Sequence, residues 1–471
     1  MTGRCRRGPL PANGFSNSDF EPLGKPPMMP PLLPMDRREF LHLTALGSLG
    51  AVALAGCAGG GGGGGYVGPA PVTPVPVAPS SGKVLLGIDV LAAEGFARIK
   101  GLRCGLVTHR AGVNGLGQRT VDVLARAPGV KLVKLFGPEH GIDGVAAADV
   151  AVGHAKDART GLPIYSLYGA TRRPTPEMLA GLDVILIDFQ DIGARSYTYI
   201  SCMRYVIEAC FSLARPVRVL VLDRPNPLGG EKVDGPFLDR KWRSYVGAYE
   251  TPYVHGLTIG EIARWAVATP GVLELDEATR RRGTLDVVAM RGWRRSMTWN
   301  LTGLNWVPTS PRIDNAKAAL GYAMSGLGAM DSGFSHSTGA GQNFRFLTYP
   351  RRKAADLMAA FGNAVPGLVL QPQQMADGTQ GVYLAVGDWP KLRPTAISLY
   401  MLRQACVWAP NPFVGLSAGK RELFIKHLGS EAFFDELRTQ GARIDLARWM
   451  KRWDGDAAAF RARTAPFRLY A

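Results

Sequence analysis

The sequence predicts an α/β protein: a Rossmann-like N-terminal domain with a parallel sheet, then a smaller α+β C-terminal domain. Three observations support this. "DVILIDFQD" (Asp183 to Asp191) is a continuous apolar run bounded by acids, the pattern of a strand buried on both faces. Strand and helix patterns alternate from Arg103 to Pro227, which implies parallel strands with helices on both sides. Beyond about Gly283 the alternation gives way to loops, a polar glycine-rich segment and two closing helical stretches.

The chain opens on an expected export signal. "MDRREFLHLTALGSLGAVALAGC" (Met35 to Cys57) has Arg37-Arg38, a moderately apolar core and a "LAGC" end. That pattern resembles a twin-arginine lipoprotein signal, in which Cys57 is lipidated. The apolar stretch is too short and glycine-broken for a membrane span. Residues 1–34 are Pro-rich and precede a complete signal, so they read as an extension ahead of the true start. Residues 58–82, a Gly run followed by Pro-Val-Pro, suit a tether and cannot bury a core. The expected site of work is the cell envelope, in the periplasm or at the cell surface, with the membrane as a partner through Cys57.

The folded part should begin near Lys83, with a first domain over 83–282 and a second over 283–471. "RCGLVTH" (Arg103 to His109) predicts a strand, Arg119 to Arg126 a helix, and "VKLVKLFG" (Val130 to Gly137) a second strand. The helix "YTYISCMRYVIEACFSLA" follows the Asp183 run, and "VRVLVLDRPNP" (Val217 to Pro227) supplies another buried strand. "HGLTIGE" marks a helix start, with Thr258 as cap and Glu261 three residues on. Helices are expected over Gly419 to Gln440 and Ile444 to Ala462.

Formal net charge is +17 in 471 residues, and six Lys/Arg against four Asp/Glu stand before Cys57, so the excess belongs to the rest. Such a surface favours anionic partners, including a cell-wall polymer. The basic residues are scattered, without an aromatic-interleaved basic helix, so no nucleic-acid partner is expected. Six cysteines with no C-x-x-C do not form a disulfide scaffold. There is no G-x-G-x-x-G after the first strand, no H-E-x-x-H and no G-x-S-x-G. We therefore expect no dinucleotide, no metal and no serine nucleophile.

Three strands end in polar groups. "LVKLFG" delivers Glu139 and His140, "VILIDFQ" delivers Asp188, Gln190 and Asp191, and "VLVLD" delivers Asp223, Arg224 and Asn226. Ligands of open parallel sheets bind outside these ends. Several carboxylates with no metal motif point to acid/base work, of which glycoside hydrolysis is the main example. Glu139 is the candidate acid, with His140 and Asp191 as candidate catalytic partners. Asp188, Gln190, Arg195, Asp223, Arg224, Asn226 and His255 are candidate substrate contacts, Arg195 and Arg224 for an anionic group.

With "FGPEHG", "TGLPIYSLYG", "RRPTPEML", "DVILIDFQDIGARSYTYI", "LDRPNPLGG", "VDGP" and "HGLTIGE" in this order, the chain resembles the NamZ-type exo-β-N-acetylmuramidases. The resemblance implies a cleft between the two domains, no cofactor, and a catalytic glutamate at Glu139. It implies release of terminal β-1,4-linked N-acetylmuramic acid from the non-reducing ends of peptidoglycan fragments, so muropeptides or amino sugars are the expected partners. One segment departs: the family's Glu- and Arg-containing loop is replaced by "MDSGFSHSTGAGQN" (Met330 to Asn343), with His336 and Gln342. The rival reading is a lipid-anchored sugar-binding protein that keeps the fold without turnover.

Overall fold

The computed structural model describes residues 82–336 and 342–471. The extension 1–34, the signal 35–57 with Cys57, and the tether up to residue 81 lie outside the described residues. So do residues 337–341 of the polar loop.

The main sheet takes seven strands: β1 (Arg103–Thr108), β2 (Lys131–Gly137), β3 (Ala155–Lys156), β4 (Pro163–Ser166), β5 (Val184–Asp188), β6 (Arg218–Leu222) and β9 (Leu285–Val288). Between the last two, β7 (Asp234–Phe237) and β8 (Pro252–Val254) pair with each other. The spatial order is β3-β4-β2-β1-β5-β6-β9, and the short β3 runs antiparallel to β4 while the other pairings are parallel. The chain leaves β1 towards β2 and β4, then returns to the other flank of β1 with β5. This reversal is where such sheets open a crevice. The sheet runs past the expected boundary at residue 282, because β9 pairs along β6 from Val219↔Leu285 to Leu222↔Val288.

Helices α1 (Gly87–Ala93), α2 (Thr120–Arg126), α3 (Pro176–Leu179), α4 (Tyr199–Ser212), α5 (Ile259–Ala268) and α6 (Glu277–Arg282) belong to this part. Strand side chains alternate between two cores, as a period of two requires. Val184, Leu186, Leu220 and Leu222 join one core with Leu106 and Leu135. Ile185, Ile187, Val219 and Val221 join the other, with Met203, Val206 and Ile207 of α4. Each such side chain contributes about 1.5–3 kcal/mol on burial, which explains an uninterrupted apolar β5. The "HGLTIGE" helix start is a capping box: Thr258 Oγ1 accepts from Glu261 N–H at 3.2 Å, and Glu261 Oε2 accepts from Thr258 N–H at 3.1 Å.

The C-terminal part holds α7 (Ala316–Ser325), a three-stranded antiparallel sheet of β10 (Phe346–Leu347), β11 (Leu368–Gln374) and β12 (Gln380–Val386) in the order β10-β12-β11, and helix α8 (Ala354–Phe361). It closes with α9 (Ala396–Trp408), α10 (Ala418–Leu428), α11 (Glu431–Gln440) and α12 (Leu446–Thr464). The expected single helix over Gly419 to Gln440 is two. Gly429 takes a left-handed φ of +93°, which ends α10, and Ser430 caps α11 by accepting from Phe433 N–H.

Candidate active site

Glu139 follows β2 in a tight turn. Pro138 C=O accepts from Gly141 N–H at 3.0 Å, and His140 sits at φ +69°, an unusual left-handed position for a residue with a side chain. The His140 Nδ1–H donates to Ala146 C=O at 2.8 Å, so its ring pins the loop that carries Glu139. Glu139 is 7% exposed. Its Oε2 accepts from Thr198 Oγ1 at 2.6 Å, and its Oε1 accepts from Asp149 N–H at 3.3 Å. Thr198 occupies the cap position of α4 yet makes no side-chain cap, because its hydroxyl turns to Glu139 instead. The Tyr168 hydroxyl completes this corner. Burial, with Glu139 and Asp149 adding to it, pushes that phenol up to about 12.

Asp191 follows β5. Its Oδ2 accepts from Gly193 N–H at 2.7 Å and lies 3.6 Å from His255 Nε2. His255 Nδ1 accepts from Leu257 N–H at 3.2 Å, which places the proton of the neutral ring on Nε2, facing Asp191. Asp191 Oδ1 is buried and finds no partner among the described residues. Gly193 is required here. Its φ is +79°, and a Cβ would come within 2.3 Å of the Asn226 side chain. Tyr322 of α7 lies within electrostatic reach of both carboxylates. Burial raises this phenol, Glu139 and Asp191 raise it further, and a hydrogen bond with Ser196 at 2.9 Å opposes them.

The other strand-end groups brace this corner. Asp188 holds the Arg224 guanidinium with both oxygens, at 2.5 and 3.0 Å, and accepts from Thr120 Oγ1. Asp223 accepts from Arg224 N–H, Gly260 N–H, Thr258 Oγ1 and the Tyr470 hydroxyl. Asn226 donates to Leu257 C=O and accepts from Leu228 N–H. Gln190 donates from its side chain to Asp191 C=O and Pro225 C=O, and from its backbone to His109 Nε2. His109 is driven down to about 3, chiefly by burial and then by Arg224.

Both arginines expected to meet an anionic substrate are engaged inside the fold. Arg195 donates to the carbonyls of Pro236, Thr251, His427 and Leu428, and burial pulls it down to about 10. Arg224 is clamped by Asp188 and donates to Val113 C=O. Asp188 and Asp223 are likewise completely buried and have donors around them. Strand-end position alone could not separate these braces from groups that face a ligand. A cavity of about 280 Å³ takes Gln190 and Arg224 in its wall, with Lys83, Asn114, Trp299 and Asn305; Glu139 is not among its lining residues.

Four residues that the sequence did not single out, Asp149, Tyr168, Thr198 and Tyr322, stand around the acids. Their signal was only positional, since Tyr168 and Thr198 fall inside quoted motifs. The divergent loop reaches the same corner through rings: His336 stacks on Phe344 at 4.5 Å, and Phe344 packs edge-on against Tyr322 at 5.1 Å. Burial lowers His336 to about 4. No group of three or more His, Cys, Asp or Glu among the described residues could hold a metal ion.

The family profile for the N-terminal domain of exo-β-N-acetylmuramidase NamZ matches residues 104–317, and that for its C-terminal domain matches 320–470. The peptidoglycan β-N-acetylmuramidase NamZ of Bacillus subtilis strain 168 is 36% identical over 346 residues, covering 72% of this chain and 81% of that protein. A crystal structure of a DUF1343 family protein from Bacteroides fragilis superposes with a TM-score of 0.74 at 33% identity, over 83% of this chain and all of the other. A second DUF1343 structure from that organism shares the fold, with a TM-score of 0.60 at 24% identity over 82% of this chain and 99% of the other. With both family domains matched in sequence order and the acid-lined corner at the sheet reversal, the chain belongs to the NamZ exo-β-N-acetylmuramidase family.

Proposed function

We propose that this protein is a glycoside hydrolase that releases N-acetylmuramic acid from the non-reducing ends of peptidoglycan fragments, with Glu139 as the general acid. The observation that carries the reading is two buried, differently held carboxylates that follow β2 and β5, the strands on either side of β1. Glu139 is fixed through both oxygens by Thr198 and Asp149, while Asp191 keeps one buried oxygen unpartnered. Glycoside cleavage needs two carboxyl groups in different roles. One carboxyl gives a proton to the departing oxygen, and an ionised partner meets the positive charge growing at the anomeric carbon. Asp191 takes the second role, oriented by Gly193 N–H and faced by His255 Nε2. His140 acts through the loop it pins rather than on the sugar. Cleavage then breaks the bond between the anomeric carbon and the bridging oxygen. The leaving alcohol departs with the Glu139 proton, and a water completes the hydrolysis by giving its hydroxyl to the anomeric carbon and its other proton to a carboxylate of the site.

The same reading places the enzyme at the cell envelope, anchored by lipid at Cys57, which would hold the cleft beside its polymer. The Gly/Pro-rich tether and the basic surface support that placement.

The experiment is hydrolysis of 4-nitrophenyl β-N-acetylmuramide by the full chain. We expect release of nitrophenol, and a loss of about 10²–10⁴-fold in kcat for Glu139→Gln, which removes the proton and little volume. Muropeptide binding without any release would instead identify a sugar-binding protein.

A further inference from the structure

If Arg195 and Arg224 are both engaged inside the fold, the negative charge of a muramic acid needs another partner. We infer that Arg172 is the specificity residue that anchors the lactyl carboxylate of the sugar. This deepens the reading of Glu139 as the acid of an N-acetylmuramidase and rests on it.

Arg172 lies in the loop after β4, between Tyr168 and α3, and is exposed. Its guanidinium rests on two tyrosine rings, 4.8 Å from the centroid of Tyr168 and 4.8 Å from that of Tyr245. The two rings pack against each other at 5.7 Å. Rings of this kind hold a guanidinium by its face and leave its N–H edge open. Among the described residues that edge makes no hydrogen bond or ion pair, whereas its neighbour Arg173 is paired with Glu208. An exposed planar fork of donors suits a carboxylate, which it can grip with two parallel bonds.

Position supports the assignment. Tyr168 connects the two functions: its hydroxyl stands against Glu139 and Asp149, and its ring face carries Arg172. The guanidinium and the acid are thus spaced by a single phenol. In muramic acid the lactyl ether is on C3, two ring carbons from the anomeric carbon whose leaving oxygen Glu139 would protonate. One residue can therefore bind the carboxylate while the other reaches the scissile bond. The Tyr245 hydroxyl is buried beside Cys202 and finds no hydrogen-bond partner among the described residues, so that ring serves as a platform.

The test uses the full chain and two chromogenic substrates, 4-nitrophenyl β-N-acetylmuramide and the same glycoside with its lactyl acid converted to the amide. The wild type should prefer the acid. In Arg172→Met, KM for the acid should rise roughly 10- to 100-fold, the scale of one charge-assisted pair, with kcat changed far less. The acid-over-amide ratio of kcat/KM should fall by a similar factor, and Arg172→Lys should recover part of it. An unchanged ratio in Arg172→Met, whether both rates fall or neither does, overturns the anchor. Equal use of acid and amide by the wild type also overturns it while leaving the Glu139 reading intact. A wild type that cleaves neither substrate overturns both.

Discussion

At the residue scale, the carboxylates divide by what holds them. Asp188 and Asp223 are saturated by donors inside the fold, and Glu139 and Asp191 stand where Tyr322 senses both. His109 illustrates how tightly the bracing depends on protonation. Its Nε2 accepts the Gln190 N–H at 2.9 Å, so the ring must stay neutral to keep the β5 end in place. Its folded value, near 3, lies below the ordinary value of 6.5. The unfolded chain therefore binds the proton more readily as pH falls below about 6.5, and the stability this group supplies is complete only above that pH. Between pH 7 and pH 5 the loss from this one ring is about 2 kcal/mol. Urea midpoints measured across that window should fall, and His109→Gln should flatten the slope.

At the element scale, Arg195 is the clearest consequence of the fold. It lies just before α4, yet it binds Pro236 of β7, Thr251 before β8, and the last carbonyls of α10 at His427 and Leu428. Four acceptors in three segments, three of them buried, depend on one cation. Arg195→Met would leave them unpaired, at a cost of at least about 3 kcal/mol. Thermal unfolding should show a loss of several degrees or more, and a variant as stable as the wild type would refute the role. Helix boundaries were less legible than helix existence. The α12 pattern was evident in the sequence, whereas the break at Gly429 was hidden inside a continuous apolar periodicity, because one left-handed glycine and one capping serine leave little trace in spacing.

At the scale of the whole molecule, the seven-stranded sheet and the smaller C-terminal sheet make an α/β enzyme scaffold whose acid-lined corner draws on both parts, through Tyr322 of α7. The proposed placement at the cell envelope rests on the sequence of the N-terminal segment. We expect Cys57→Ser to move the protein from the membrane fraction to the soluble one, read by fractionation and blotting. Retention of the variant in the membrane would argue against the lipid anchor.

The sequence by itself determined the fold class, the strand ends as the place to look, and Glu139 as the acid to test. These follow from local rules: apolar runs bury, periodicity names the element, and parallel strands present ligands at their carboxyl ends. Tertiary structure alone decided which polar residues face the site. Arg195, Arg224 and Arg172 look alike in a sequence, and their difference lies in partners tens of residues away. A buried guanidinium must find carbonyls or a carboxylate, and an exposed one lying on tyrosine faces need not. That distinction turns on long-range contacts, which spacing along the chain does not record.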